Sequence, residues 1–374
     1  MSESFEGRFP PRHHRHFLVL IDGTWVSASQ QEISQSLSNI YQLNLAIDTH
    51  NHEGETQITF YFAGLGSGNT IKKLTGGVLA RGLQETVELC YINIVSNYVE
   101  GDQIYIFGFS RGAMIARIVA DMISKCGILR SEKIGLFPNL WEIYIRNRHE
   151  DPLSHGFFEG NCYTDIKIDI LGVLDPVLGE FSEKGSEELK RIIFDDRTVP
   201  KKVLYGLQLL AIHETRAEMK PVLWTGAQPH QNFEHIWMPG VHSDVGGTYI
   251  ENFLGKVALL TILDRLTIHT PLRIMDGKVR ELKDEIRRDL RDNRVIIHDE
   301  CDTLIWRALS YNPFSQNCRS PGCQEPLQFY HPICKRLERE YIQSKSKKNR
   351  VLFSMRGLPL LPQAEVSSFD EICV

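Results

Sequence analysis

Residues 104–117 read IYIFGFSRGAMIAR, and this stretch decides the prediction of the fold. Its first four residues are β-branched or aromatic and predict a buried strand, while a helical run follows Gly112. Ser110 then lies in a sharp strand-to-helix turn, where Gly108 and Gly112 leave room for close packing. Such a turn places a hydroxyl above the strand end, beside helix N–H groups that favour developing negative charge. We predict that Ser110 is a nucleophile, and the alternative is a tight turn with an idle serine.

Short apolar runs alternate with helical patterns through the first 250 residues. The predicted strands are 17–21, 58–62, 104–107, 166–174 and 233–238. Between them, apolar residues recur at three- to four-residue steps in 79–98 and 115–123, which predicts amphipathic helices. This alternation predicts βαβ units, and therefore a mostly parallel sheet with helices on both faces and helical insertions. The fold class that we expect is α/β, of the α/β-hydrolase type.

A serine hydroxyl needs a base to remove its proton, and the base needs a carboxylate to orient it. Asp175 directly follows an apolar strand in IKIDILGVLDPVLG, and His242 follows another in HIWMPGVHSDVGGTY. The chain order Ser, Asp, His is the order of α/β-hydrolases, so we predict Ser110, Asp175 and His242 as the catalytic residues. Asp244 is the alternative orienting carboxylate. The weaker candidates for the base are His213, His235 and His298.

An oxyanion hole needs two backbone N–H groups near the nucleophile. We expect one from Arg111, directly after Ser110, and the other from Gly23 or Thr24 in FLVLIDGTW. Asp22 is a supporting residue that holds this turn through its carboxylate. An aspartyl nucleophile of the phosphatase type would need a second aspartate two residues after Asp22, where Thr24 stands.

Composition and charge exclude several classes of function. The chain has 374 residues and a net charge of −5, which gives no indication of nucleic-acid binding. The N-terminal residues contain no apolar signal-peptide core, and no run of 18 apolar residues predicts a membrane span. We expect a cytoplasmic protein in the producing cell, with leaderless export left open. Neither a metal site nor a cofactor is expected, because the eight cysteines show no paired C-x-x-C spacing.

The predicted domain organisation is one catalytic domain with additions. We expect a flexible leader over 1–16 and an α/β-hydrolase catalytic domain over 17–310. Its insertions fall at about 131–163 and 179–231, and a C-terminal extension over 311–374 packs on the same domain. Within the second insertion, KKVLYGLQLLAI (201–212) predicts either a helix buried against the sheet or a lid that contacts acyl chains. The charged segment 277–294 predicts a solvated amphipathic helix.

Five motifs occur together in a fixed order: LIDGTW, YFAGLGSG, GDQIYIFGFSRGAMIAR, GVLDPV and MPGVHSDVGGTY. In this combination the chain resembles the α/β-hydrolase family of type VI secretion phospholipase effector-like proteins. The resemblance implies a Ser–Asp–His esterase, with Ser110, Asp175 and His242 at the matching positions. It also implies an acidic residue and an arginine, here Glu214 and Arg216, in LLAIHETRAEMKPVLW.

Three positions depart from the family's pattern. Leu174 and Pro176 stand where Trp and Thr usually flank the strand-end aspartate, and His213 stands where an acidic residue is common. These departures concern substrate preference more than the three catalytic positions.

The predicted function is hydrolysis of a carboxylic ester in a phospholipid or another acyl lipid. The expected partners are a lipid or small ester substrate and a membrane surface touched peripherally. The sequence specifies no protein partner. One alternative is a metal-dependent phosphoester hydrolase with Asp22, Asp175, His242 and Asp244 as ligands. Another is a catalytically silent binding module on the same fold.

Overall fold

The computed structural model describes residues 14–23, 36–64, 76–146, 156–178, 197–216, 219–298, 319, 328–337, 341–344, 350–352 and 363–367. The strands are β1 (His16–Ile21), β2 (Gln57–Phe62), β3 (Gln103–Phe109), β4 (Ile128–Leu129), β5 (Cys162–Tyr163), β6 (Ile168–Leu174), β7 (Val203–Ala211), β8 (Asn232–Met238), β9 (Ile296–Ile297), β10 (Gln328–Tyr330), β11 (Tyr341–Ser344) and β12 (Arg350–Leu352). The α-helices are α1 (Asn39–Ala46), α2 (Gly76–Asn97), α3 (Arg111–Cys126), α4 (Phe137–Arg146), α5 (His242–Gly246), α6 (Phe253–His269), α7 (Asp276–Arg291) and α8 (Pro332–Leu337).

Among the described residues, seven strands form one sheet in the order β10-β8-β7-β6-β3-β1-β2. Every neighbouring pair in this sheet is parallel. The five predicted strands coincide with β1, β2, β3, β6 and β8, so the prediction of a mostly parallel α/β-hydrolase-like sheet is confirmed. Carboxyl ends of parallel strands lie at one edge of a sheet, which is where such folds bind ligands.

Helices cover both faces of the sheet, and β1 shows this most clearly. Val19 and Ile21 pack in the core with α2, α3 and α4. Leu18 and Leu20 pack on the opposite face with α1, α6 and α7. Because both faces are buried, the strand is apolar throughout rather than alternating.

The segment 201–212 is neither a buried helix nor a lid, and both predictions for it are wrong. Residues 203–211 form β7, which lies between β6 and β8 near the middle of the sheet. Burial on both faces explains the run of apolar residues, which we had attributed to a helix. This part of the predicted insertion 179–231 therefore belongs to the sheet itself.

The first predicted insertion lies over α3. It contains a 3₁₀ helix (Ser131–Leu136) and α4, and the Tyr144 hydroxyl donates to the Asp121 carboxylate at 2.8 Å. The predicted amphipathic helix at 277–294 is confirmed as α7, which buries Leu282 and Ile286. Helix α6 was not predicted, because its sequence is apolar on nearly all sides and shows no single stripe.

Both ends of the described chain are tied to the sheet. Arg15 pairs with Asp102 at 2.6 Å, and His16 begins β1, so the predicted leader cannot extend to residue 16. Residues 1–13 lie outside the described residues. In the predicted C-terminal extension, β10 adds to the sheet edge beside β8. None of the described helices combines the length and the apolar character needed to cross a bilayer.

Candidate active site

The turn between β3 and α3 has the geometry that its glycines predict. Ser110 has φ 58° and ψ −124°, a conformation that non-glycine residues rarely adopt. A Cβ on Gly108 would lie 2.4 Å from the Gly112 carbonyl oxygen, and one on Gly112 would lie 2.4 Å from the Asp22 carbonyl oxygen. Only glycine fits at these two positions, because α3 starts in backbone contact with the neighbouring strand ends.

The Ser110 hydroxyl faces a histidine rather than its own helix. A serine at the N-terminus of a helix usually accepts a bond from the first turn, and Ser110 makes no such bond. Its Oγ instead lies 2.9 Å from Nε2 of His242, the first residue of α5. The Phe109 ring stacks on the imidazole, with ring centres 4.7 Å apart. The donor and acceptor are therefore held in place before any substrate arrives.

Asp175 completes a continuous chain of hydrogen bonds. It follows β6 directly, with φ 41°, and its Oδ2 lies 2.6 Å from Nδ1 of His242. A donated Nδ1–H leaves Nε2 free to accept the proton of Ser110. Burial opposes ionisation, but the charge of Arg319 and the bond to His242 hold the pKa of Asp175 well below its usual range. The carboxylate is thus an anion that faces the imidazole.

Arg319 is a site residue that the sequence did not predict. Its Nη1 lies 2.5 Å from Asp175 Oδ1, the oxygen that does not face His242. The same oxygen accepts the Ala211 N–H at 3.1 Å. Arg319 stands in NCRSPGC, which has no periodic pattern and no motif, and it is 144 residues from Asp175 along the chain. No signal in the sequence could have found it.

Asp244, the alternative orienting carboxylate, faces another way. Its Oδ2 accepts the Val241 N–H at 2.9 Å, and its Oδ1 lies 2.7 Å from Nδ1 of His298. Burial raises the pKa of Asp244, and the bond to His298 opposes this rise. Asp244 therefore holds the loop in front of α5, and Asp175 is the carboxylate that contacts the His242 ring.

The other candidate bases are placed elsewhere. His213 lies in the loop after β7, and its Nδ1 accepts the Gly240 N–H at 2.8 Å. His235 lies within β8, and its ring is fully buried. Burial lowers the pKa of His213 to about 4 and that of His235 to about 3. Both rings are therefore neutral at pH 7.

The predicted oxyanion turn lies against Ser110. A Cβ on Gly23 would lie 3.2 Å from the Ser110 Cβ, so this turn and the nucleophile's turn are in contact. Gly23 and Thr24 are the two candidate donors from this turn. The Gly23 N–H donates to the Asp22 carboxylate at 2.8 Å and is therefore already engaged. Arg111 begins α3 directly after Ser110. Thr24 lies outside the described residues.

Asp22 links this turn to two neighbouring elements. Its Oδ2 accepts the Ser38 hydroxyl at 2.5 Å and the Tyr61 hydroxyl at 2.8 Å. Burial raises the pKa of Asp22 to about 6, although these hydrogen bonds oppose the rise. The carboxylate joins the β1 turn to α1 and β2.

Glu214 and Arg216 form a buried pair behind the histidine. The Arg216 guanidinium donates from Nε at 2.9 Å and from Nη2 at 2.8 Å to the two Glu214 oxygens. Burial opposes ionisation of Glu214, but Arg216 outweighs it and lowers the pKa of this carboxyl. Glu214 Oε2 also accepts the His242 N–H at 3.2 Å, so the pair fixes the start of α5.

The four residues that the metal-dependent alternative uses as ligands are engaged in hydrogen bonds within the protein. Asp22 bonds to Ser38 and Tyr61, Asp244 bonds to His298, and Asp175 bonds to His242. Within the described ranges, no group of three or more His, Cys, Asp or Glu side chains could hold a metal ion.

Comparison with known proteins gives one family and a few distant relatives. Residues 15–267 match the model of the family described as T6SS, Phospholipase effector Tle1-like, catalytic domain. The uncharacterized protein YEL023C of Saccharomyces cerevisiae is 28% identical over 144 residues, which are 35% of this chain and 20% of the yeast protein. The chain thus spans about a fifth of that relative's length.

Two solved structures are similar at 18% identity. An uncharacterized protein from Pseudomonas aeruginosa is similar with a TM-score of 0.42. The matched region covers 73% of this chain and 48% of that protein's chain. The Tle1 effector bound to the VgrG spike from the Type 6 secretion system has a TM-score of 0.34, covering 67% of this chain and 55% of its own. The chain spans about half the length of each.

Proposed function

Because this chain belongs to the Tle1-like catalytic-domain family of type VI secretion phospholipase effectors, we propose that it is a serine hydrolase that cleaves carboxylic esters of phospholipids or other acyl lipids. The observation that carries this proposal is the hydrogen-bonded chain from Ser110 through His242 to Asp175. It joins a hydroxyl, an imidazole nitrogen and a buried anion in the order that nucleophilic catalysis requires.

In the first half of the reaction, the Ser110 oxygen attacks the ester carbonyl carbon while His242 Nε2 takes the hydroxyl proton. Asp175 stabilises the imidazolium that forms, through its 2.6 Å contact with Nδ1. The carbonyl oxygen gains negative charge in the tetrahedral intermediate. The N-terminus of α3, with the Arg111 N–H, supplies a donor for this oxygen.

The first half ends when His242 returns the proton to the leaving alcohol, and the acyl group stays on Ser110. In the second half, water attacks this acyl-enzyme while His242 takes a proton from the water. His242 then passes that proton to the Ser110 oxygen as the fatty acid leaves. The proton balance closes on His242 in each half-reaction. The Phe109 ring stacked on the imidazole keeps its plane fixed during both transfers.

A lipid substrate implies contact with a membrane surface. The loop that follows α5 carries Ile250, a large apolar side chain that is 56% exposed. We include a peripheral contact of this loop with lipid in the proposal. Cosedimentation with phospholipid vesicles tests it, and Ile250→Asp should lower the bound fraction while short-chain ester cleavage stays unchanged.

The decisive experiment measures hydrolysis by the purified chain of several phospholipids and short-chain esters, beside a Ser110→Ala variant. The expected result is fatty-acid release by the wild type, its loss in Ser110→Ala, and no effect of a metal chelator. Activity that a chelator abolishes would favour the metal-dependent alternative. A folded wild type that cleaves no ester and does not react with a fluorophosphonate would favour the silent binding module.

A further inference from the structure

Asp175 has two carboxylate oxygens with different partners. Oδ2 faces His242, while Oδ1 accepts bonds from the Ala211 N–H and from Arg319 Nη1. The side chain is fully buried, so the two protein donors on Oδ1 replace the water that an exposed carboxylate would have. The orientation of Oδ2 towards the imidazole therefore depends on what holds Oδ1.

Arg319 is itself held in place by the end of β7 and the loop after it. Its backbone N–H donates to the Ile212 carbonyl at 2.9 Å, and Nη1 also donates to the Ala211 carbonyl at 3.2 Å. Nη2 donates to the carbonyl of Met219. These bonds fix both the backbone and the guanidinium plane, so the side chain meets Asp175 in one defined geometry.

Arg319 is the cation in direct contact with Asp175. Among the described residues near Asp175, the loop after β7 carries His213, Glu214 and Arg216, and α5 carries Asp244. Glu214 pairs with Arg216, Asp244 bonds to His298, and His213 accepts the Gly240 N–H. Arg319 and the bond to His242 together offset the burial of the Asp175 charge.

We propose that Arg319 is a positioning residue, which holds Oδ1 of Asp175 so that Oδ2 faces His242 and which offsets the charge of the buried carboxylate. The importance of this geometry for ester cleavage rests on the proposed function. Arg319 lies beyond residue 267, where the family match ends. The C-terminal part of the chain thus contributes a contact to Asp175, which lies within the matched region together with Ser110 and His242.

Two measurable consequences follow from the loss of the guanidinium. Without the positive charge of Arg319, the Asp175 carboxylate stabilises the protonated imidazole of His242 more strongly. The acidic limb of the plot of kcat/KM against pH should therefore move to higher pH. A shift of about one to two pH units is expected for charges roughly 6 Å apart at an effective dielectric constant near 20. We also expect kcat/KM at neutral pH to fall by about 10- to 100-fold, the usual effect of removing a partner that orients a functional group.

The second consequence concerns stability and does not depend on activity. With Arg319 present, the lowered pKa of Asp175 contributes stability above the unfolded value, and this stability is lost as pH falls through the folded value. Without Arg319, burial opposes the ionisation of Asp175 with one counter-charge fewer, so that pKa rises and protonation relieves a buried charge as pH falls. The difference in melting temperature between wild type and Arg319→Gln should therefore become smaller as pH falls from about 7.5 to about 4.5.

The experiment compares full-length wild type, Arg319→Gln, Arg319→Lys and Lys335→Gln in both measurements. Lys335→Gln is the matched control, because it removes a positive charge from an exposed position of α8. The expected result is a shifted acidic limb and a narrowing gap for Arg319→Gln, smaller effects for Arg319→Lys, and neither effect for Lys335→Gln.

An unshifted acidic limb and a constant melting gap in the arginine variants would overturn the proposal. So would equal shifts in Lys335→Gln. If Arg319→Gln does not fold, Arg319→Lys decides through the same two measurements. Failure of the wild type to cleave any ester would contradict the proposed function alone, because the melting comparison would still test the role of Arg319.

Discussion

Replacing Asp175 by asparagine should distinguish the role of Asp175 from that of Asp244, the other carboxylate near His242. The donors Ala211 N–H and Arg319 both face Oδ1, so the new carboxamide oxygen should occupy that position. Its NH₂ group then faces His242 Nδ1, which must accept rather than donate. The proton moves to Nε2, and the imidazole can no longer take the Ser110 proton.

The magnitude follows from the contact that is lost. A unit charge about 4 Å from the forming imidazolium is worth roughly 4 kcal/mol at an effective dielectric constant near 20. That corresponds to about a thousandfold in rate, and the wrong tautomer can extend the loss to about 10⁴-fold. Asp175→Asn should therefore lower kcat by about 10³ to 10⁴ with a smaller effect on KM.

Asp244→Asn is the matched control. Asp244 bonds to the Val241 N–H and to His298 and does not contact the His242 ring. Its substitution should cost about 1–3 kcal/mol of stability, while kcat falls by less than about tenfold. Both variants are assayed for ester hydrolysis and for thermal unfolding. A larger loss of kcat in Asp244→Asn than in Asp175→Asn would refute the assignment of the orienting carboxylate.

Three further predictions concern the scaffold. Leu207→Ser, in the buried centre of β7, should lower the free energy of unfolding by about 2–4 kcal/mol and reduce long- and short-chain ester cleavage equally; a selective loss on long chains would contradict a core position. Gly112→Ala should cost about 3 kcal/mol or more by thermal unfolding, because its Cβ would meet backbone oxygens, whereas Gly277→Ala, in open space, should have little effect; equal effects would contradict the packing of the nucleophile's turn. Burial raises the pKa of Asp22 to about 6, so its ionisation should lower the free energy of unfolding of the wild type by about 3 kcal/mol as pH rises from about 4 to about 7. Asp22→Asn should remove this dependence on pH in denaturant titrations. An unchanged dependence would contradict the burial effect.

The sequence predicts those elements in which the local pattern of residues agrees with the burial of the element in the fold. The runs at 17–21 and 104–107 are short, apolar and rich in β-branched or aromatic residues, as strands buried on both faces must be. The segment 201–212 is also buried on both faces, but its leucines favour a helix locally. Pairing with β6 and β8 overrides that preference.

The site divides in the same way. Ser110, Asp175 and His242 were predicted because each follows a recognisable strand, and parallel strands bring such positions to one edge. Arg319 follows no strand and belongs to no motif, so only the tertiary structure places it beside Asp175. The engagement of the Gly23 N–H by Asp22 likewise depends on side-chain geometry that the sequence does not encode locally.

The central claim is that Ser110 is the nucleophile of an ester hydrolase. Mass spectrometry of the protein after reaction with a fluorophosphonate, followed by peptide mapping, tests this most directly. We expect one covalent adduct, located on Ser110, that is absent from Ser110→Ala and forms much more slowly in His242→Ala. An adduct on another residue, or equal labelling of Ser110→Ala, would contradict it.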